Sequence, residues 1–487
     1  MLMYTYIFRD WLVMIAQVSR AQFYHMGALI VILMLSVSMT GHKHANAADL
    51  TEFLYSALKR NPALQKTMQQ IDSRAYARRI SKAGLLPQLS LDANTSLSSS
   101  TTYGRGESAD TRDSFPEAGY SISLSQVLFD PQTYYSYKNA QISLNRQELQ
   151  YKKDYQATLN NTLNAYFEYL RSATQLRTTK MELQSSRKRL QQIMRSYELG
   201  NVAKVDVLES QANLDNILAS EVTQENALKS ALIRLQELSL LFEKPTSDIL
   251  SVEHIDGIDK ANFDNWHDIA EAQNPDVLIA QKDVQSAQLD LKSSQSEYYP
   301  TVNLNASHSG SDSRAAGANN ATRNGRTQNQ SITLNLRLPL YSGGSREYGV
   351  KQAQKDVQIS NTDFIDVLNS TIADLDTAIE NINANARSIE ILQRSIQANH
   401  ESYEAIQTGY KLGERKLTDV LDAQSKLYNV IRDYYGARYD YIINTSDFHR
   451  ISGTLSLDVI SEITANMVPI VIGEAFDIPI FEEERDQ

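Results

Sequence analysis

The strongest constraint on this chain is that one phrase occurs in it twice, at a fixed distance. Tyr197-Glu198-Leu199-Gly200, followed by Asp206-Val207-Leu208-Glu209, returns as Tyr410-Lys411-Leu412-Gly413, followed by Asp419-Val420-Leu421-Asp422. The offset, 410 − 197, is 213 residues. Asn61-Pro62 recurs as Asn274-Pro275 and Leu86-Pro87 as Tyr299-Pro300, both at that offset. Landmarks in one register imply a duplicated unit, so the fold and the function must suit two similar halves. Tyr-x-Leu-Gly reads as a helix end with a left-handed glycine. Asp-Val-Leu followed by an acid reads as the next helix start, with Asp206 and Asp419 as N-caps. Each phrase is therefore expected at the tip of a helical hairpin.

The arms around the tips read as helix over long distances. No proline lies between Pro131 and Pro245, or between Pro339 and Pro469, and Gly200 is the only glycine of the first stretch. Leu228, Leu232, Leu235 and Ile389, Leu392, Ile396 keep helical apolar spacing. Folding each arm at its tip predicts helices of about 60 residues or more, on the order of 90–100 Å long.

Ahead of each arm the period changes to two. Leu89, Leu91 and Ala93 alternate with Ser90, Asp92 and Asn94; Ile122 and Leu124 alternate with Ser121, Ser123 and Ser125. Val302, Leu304, Ala306 and Ile332, Leu334, Leu336, Leu338 repeat this in the second half. The polar segments from Ser98 to Gly119 and from Ser307 to Gln330 are expected to be long exposed loops. Four strands with one apolar face, beside helices this long, make no soluble sandwich. If the apolar face meets lipid, the sheet needs a closed edge, and four strands cannot close alone; three chains would supply twelve.

Residues 1–47 read as a secretory signal: Arg9 and Arg20 precede an apolar run from Gly27 to Met39, and Ala45-Asn46-Ala47 offers a small-x-small cleavage site. The chain carries a formal charge of −11. The signal contributes +2 (Arg9, Arg20 and Lys43 against Asp10), which leaves −13 for an exported protein and makes nucleic acid a poor partner. With no cysteine, thiolate chemistry, disulfides and a lipid-anchoring Cys are excluded. No nucleophile–base set, phosphate loop or zinc spacing is present, so neither an enzyme nor a cofactor or metal site is expected. The expected division is signal 1–47, first repeat 48–260, second repeat 261–460 and a tail 461–487 with no readable role.

The two tip phrases and the strand-to-helix passages Leu124-Ser125-Gln126-Val127-Leu128-Phe129-Asp130 and Leu338-Pro339-Leu340-Tyr341-Ser342-Gly343-Gly344 resemble the TolC family of outer-membrane export ducts. The resemblance spans residues 48–460, and Gly409-Tyr410 through Arg415, leading into Asp419-Val420-Leu421-Asp422-Ala423, is its most specific part. It implies an α+β membrane protein. That protein would be a homotrimer sharing one twelve-stranded barrel in outer-membrane lipid, continued by an α-helical tunnel through the periplasm. A periplasmic adaptor and an inner-membrane ABC or proton-driven pump would dock on the tips. It also implies a gate latch of Asp206 with Tyr410 and Arg415, a pore acid ring of Asp419 and Asp422, and hairpin tips turned at Gly200, Gly409 and Gly413. Small-molecule efflux and type I protein secretion use similar tubes, so the cargo is not readable. A periplasmic coiled-coil adaptor without a pore is the competing class; it would explain the hairpins but not two strand pairs in register with them.

Overall fold

The computed structural model describes residues 47–102, 111–245, 250–252, 255, 257–258, 263–313, 325–465 and 467–469. The expected signal, Ala47 apart, lies outside the described residues, as do both loop centres and the tail beyond 469.

The chain runs α1 (Ala47–Arg60), α2 (Pro62–Ala83), β1 (Gln88–Thr102), β2 (Thr111–Phe129), α3 (Pro131–Glu198), α4 (Lys204–Ser239) and β3 (Leu250–Val252). It continues through α5 (Phe263–Gln273), α6 (Pro275–Ser296), β4 (Thr301–Ser313), β5 (Gly325–Arg337), α7 (Ser345–Lys411), α8 (Leu417–Ile451), α9 (Leu457–Ala465) and β6 (Met467–Pro469). The order of two helices, two strands, one long helix and one shorter helix occurs twice.

The two Asn-Pro pairs show why the helices break where they do. Asn61 Oδ1 accepts the Ala63 N–H at 2.9 Å, and Asn274 Oδ1 accepts the Asp276 N–H at 2.7 Å. Pro62 and Pro275 occupy the first helical position, where a missing N–H is no loss. Asp130 and Pro131 start α3 in the same way.

The outgoing helices α3 and α7 have 68 and 67 residues, about 100 Å each. The returning helices α4 and α8 have only 36 and 35, which corrects the expectation of about 60 residues or more for every helix of the arms. They stop at mid-height because α1 and α5 meet them there. Ser56 donates to the Ser239 carbonyl at 2.8 Å, and Trp266 stacks edge-on against Phe448 at 4.7 Å. Four helices therefore lie side by side at each level: α2, α3, α6, α7 next to the strands, and α4, α3, α8, α7 toward the tips.

The mid-height junction holds the main core. Phe53 and Leu54 of α1, Leu159, Leu163 and Phe167 of α3, and Leu235 of α4 are almost wholly buried with Tyr439 and Ile442 of α8; each such side chain contributes about 1.5–3 kcal/mol by burial. β3 and β6 pair antiparallel, Ser251 opposite Val468. The connector between the halves and the chain's last described segment, which had no readable role, thus meet in one small sheet.

The other sheet has the order β1-β2-β4-β5, antiparallel throughout. Leu91, Ile122, His308 and Gln330 form one cross-strand row; Ala93, Tyr120 and Gly310 form the next. The apolar residues share one face and stand in solvent in the single chain: Leu89 is 72% exposed, Ile332 81% and Leu336 68%. β1 and β2 extend through Ser98–Thr102 and Thr111–Gly119, which the sequence placed in a loop. A run of Ser and Thr has no apolar alternation to announce it, yet these residues tolerate a pleated backbone. Among the described residues, no helix is long and apolar enough to cross a membrane.

Candidate gate at the hairpin tips

Both tips turn by the same local chemistry. Gly200 has φ 79° and Gly413 φ 80°, the left-handed region where a side chain would be strained. The Asn201 N–H returns to the Ser196 carbonyl at 2.9 Å, and the Glu414 N–H to the Gly409 carbonyl at 2.8 Å. The helices that follow begin at Lys204 and Leu417, so Asp206 and Asp419 are not N-caps but third-position residues. Their carboxylates accept the N–H groups of Ala203 and Lys416 at 3.1 and 3.3 Å, half of a capping box. The other half is absent because Ala203 and Lys416 have no acceptor to offer.

Tyr410 stands where the two hairpins meet. It packs against Tyr403, Val420 and Leu427 of its own hairpin, and beside Ile193, Val202 and Val207 of the other. Burial pushes its hydroxyl pKa up, and the charge of Asp206 adds to the rise, opposed by Arg189. The fold therefore brings Asp206 and Tyr410, 204 positions apart, into one electrostatic neighbourhood. Arg415 is exposed and folds back over Gly409, so close that a Cβ at 409 would lie 2.9 Å from its Cγ. Among the described residues, Arg415 has no side-chain hydrogen bond or ion pair. Asp419 is half-buried and Asp422 exposed, one turn further along the same helix.

Sequence reasoning missed the layer just above the tip. Arg189 of α3 is 8% exposed; it donates to Gln424 Oε1 of α8 at 3.2 Å and to the Tyr403 hydroxyl of α7. Two turns up, Glu182 pairs with Arg432 at 2.9 Å. Burial pushes the Glu182 carboxyl up, and the hydrogen bond and charge of Arg432 pull it partway back. Arg171 with Asp440, and Thr174 with Tyr439 at 3.0 Å, continue the ladder. Burying these charges is tolerable because Glu182 is paired with Arg432, and Arg189 is hydrogen-bonded by neutral acceptors and lies over the Tyr403 ring. The only signal in the sequence was the seven-residue step from Glu182 to Arg189.

An uncovered apolar sheet face, continued by two antiparallel helical hairpins whose tips come together, defines the class of a membrane duct subunit. The family described as outer membrane efflux protein matches residues 53–239 and 266–454, and the chain belongs to it. Its place is the outer membrane, and its family is one of transport channels and not of enzymes. The chain is 29% identical over 432 residues to outer membrane protein TolC of Salmonella enteritidis, covering 87% of this chain and 86% of that one. It is 25% identical to the alkaline protease secretion protein AprF of Pseudomonas aeruginosa, covering 87% and 88%. In fold it is similar to the outer membrane protein VceC of Vibrio cholerae, with a TM-score of 0.69 at 18% identity, over 83% of this chain and 96% of that one.

Proposed function

We propose that this chain is the outer-membrane duct of a tripartite export system, passing cargo from an inner-membrane pump across the periplasm and the outer membrane. The observation that carries the reading is the four-stranded sheet: one face apolar and uncovered, with β1 and β5 each paired on one side only. Such a sheet is stable in lipid only as part of a closed barrel. Three copies would close twelve strands, and the two repeats, 48–260 and 261–460, would line one tunnel. An adaptor would dock along the hairpins. The relatives' names span protease secretion and efflux, so the reading covers both small molecules and proteins.

In this reading Asp206, Tyr410 and Arg415 latch the tips, and Asp419 and Asp422 ring the axis at the narrowest point. Like charges held close around a pore attract cations and repel anions. The purified protein in planar bilayers is expected to conduct with a preference for cations and to be blocked by multivalent cations from the tip side. Asp419→Ala with Asp422→Ala should abolish both the preference and the block. A block that survives the double substitution places the constriction elsewhere, and a purified protein that never conducts overturns the pore reading.

A further inference from the structure

The apolar face of the four-stranded sheet carries a groove. Across one row, Leu124 of β2 and Ile332 of β5 flank Ala306 of β4; across the next, toward the loops, Ile122 and Gln330 flank His308. A hollow of about 550 Å³ lies over these side chains. Ala306 is the small residue of its row, so the floor sinks along β4 between two apolar ridges.

The loop-side end of the groove is polar. Tyr120 stands in the next row, opposite Gly310, and its ring crosses that glycine so closely that a Cβ there would lie 2.6 Å from it. The Tyr120 hydroxyl meets His308 Nε2 at 3.2 Å. His308 Nδ1 is buried without a hydrogen-bond partner. Gln330 is exposed, and among the described residues its carboxamide makes no hydrogen bond.

The order of apolar floor and polar end fixes a direction. From Leu336 to Gln330 the face covers 336 − 330, or six, residues, about 20 Å along the strand, against an apolar band about 25 Å tall in barrels of this kind. A polar side chain facing hydrocarbon is costly, and tyrosine favours the headgroup level. The His308–Gln330 row therefore stands where hydrocarbon gives way to headgroups. In the duct reading the loop side is the cell exterior, so the lipid that meets this row belongs to the outer leaflet.

We propose that the groove holds an acyl chain of an outer-leaflet phosphorylated glycolipid of the lipid A type, whose linkage region hydrogen-bonds to Gln330, His308 and Tyr120. The proposal rests on the barrel reading and adds a ligand for the barrel's outer face. The chemistry of the polar end selects the class. A carboxamide both donates and accepts, and so do a phenol and a neutral imidazole. The amide-linked hydroxyacyl chains of such a glycolipid carry N–H, O–H and C=O groups at the level where chain meets head. The ester carbonyls of a phosphoglyceride only accept, and they would leave the acceptors of this cluster unpaired.

The test gives the purified full-length protein, in detergent, lipid A, phosphatidylethanolamine or phosphatidylglycerol, and reads the lipid retained per oligomer by native mass spectrometry. Lipid A is expected to stay bound at concentrations several-fold below those that either phosphoglyceride needs. Ala306→Leu fills the groove and should abolish the preference. His308→Leu with Gln330→Leu keeps the groove and removes its polar end; it should abolish the preference too, and it carries the test alone if the first variant does not fold. Ala93→Leu adds the same bulk to the same face outside the groove and should leave the preference intact. Equal retention of the lipids, a preference for a phosphoglyceride, or a lipid A preference that survives the groove variants overturns the site and leaves the duct reading standing. A chain that stays soluble and monomeric without detergent overturns both.

Discussion

The first and second hairpin tips share a backbone and differ in what they present. Gly200 and Gly413 turn with the same φ, and Asp206 and Asp419 hold the same N–H three residues back. At the offset of 213, however, Val202 stands where the second tip has Arg415, and Ser196 where it has Gly409. Val202 turns into the apolar cluster of Ile193, Leu417 and Tyr410, whereas Arg415 lies outside, over a glycine that leaves it room. Gly200 and Gly413, which shape the turns, are alike, and the positions beside them differ. The first tip thus buries an apolar side chain where the second leaves a cation in solvent.

The largest effect expected from breaking this asymmetry is on the pore. Tyr410→Phe with Arg415→Ser removes the hydroxyl beside Asp206 and the free cation together. An exposed pair is worth only about 0–1 kcal/mol, but symmetric copies act together on a closed state that need be favoured only slightly. Single-channel conductance should rise several-fold with unchanged oligomer yield; unchanged conductance would make these residues surface decoration. Next is Gly413→Ala. Nothing lies within 4 Å of the added methyl, so the loss is backbone strain alone, about 1–2 kcal/mol, read as a lower unfolding midpoint. Gly200→Ala should lose as much, because the two turns are equivalent there. Val202→Arg, which gives the first tip the chemistry of the second, should cost about 1 kcal/mol, since a long side chain can swing its charge out of the half-buried site. Arg415→Val should cost nothing measurable in stability. Equal losses in these last two variants would show the tips to be interchangeable.

How much of this could be read in advance follows from the range over which each feature acts. The Tyr-x-Leu-Gly phrases, the Asn-Pro breaks and the alternation of Leu89, Leu91 and Ala93 are local patterns, and they located the hairpins and the strands. The helix starts were misplaced by three residues because an aspartate can serve a helix from its third position as well as from its cap. The strand extensions through Ser98–Thr102 and Thr111–Gly119 have no apolar period to detect. The shortened return helices and the β3–β6 pair follow from how distant segments meet at mid-height. The Arg189–Tyr403–Gln424 node joins residues 214 and 235 positions apart, a pairing no single stretch encodes.

The smallest effect concerns the ladder that connects the two tips to the mid-height core, where Glu182 of the first hairpin pairs with Arg432 of the second. Burial raises the Glu182 pKa above the ordinary carboxylate value, with Arg432 opposing. Tyr428, pushed up by burial and by Tyr403 and Glu182, stays neutral beside it. A carboxyl whose folded pKa exceeds its unfolded value, about 4.3, keeps its proton longer in the folded state. Its ionisation therefore removes stability as pH rises from the unfolded value through the folded one, and the penalty is absent below both. Glu182→Gln cannot ionise. Its stability relative to the parent should improve from pH 4 toward neutrality, on top of a constant loss from exchanging the charged partner of Arg432 for a neutral amide oxygen. Chemical unfolding of both proteins in detergent across that range isolates the difference, because every distant carboxylate cancels. A difference that stays flat with pH would mean that Arg432 fully compensates the buried charge, and that the ladder joins the hairpins as an ordinary ion pair at any pH the periplasm reaches.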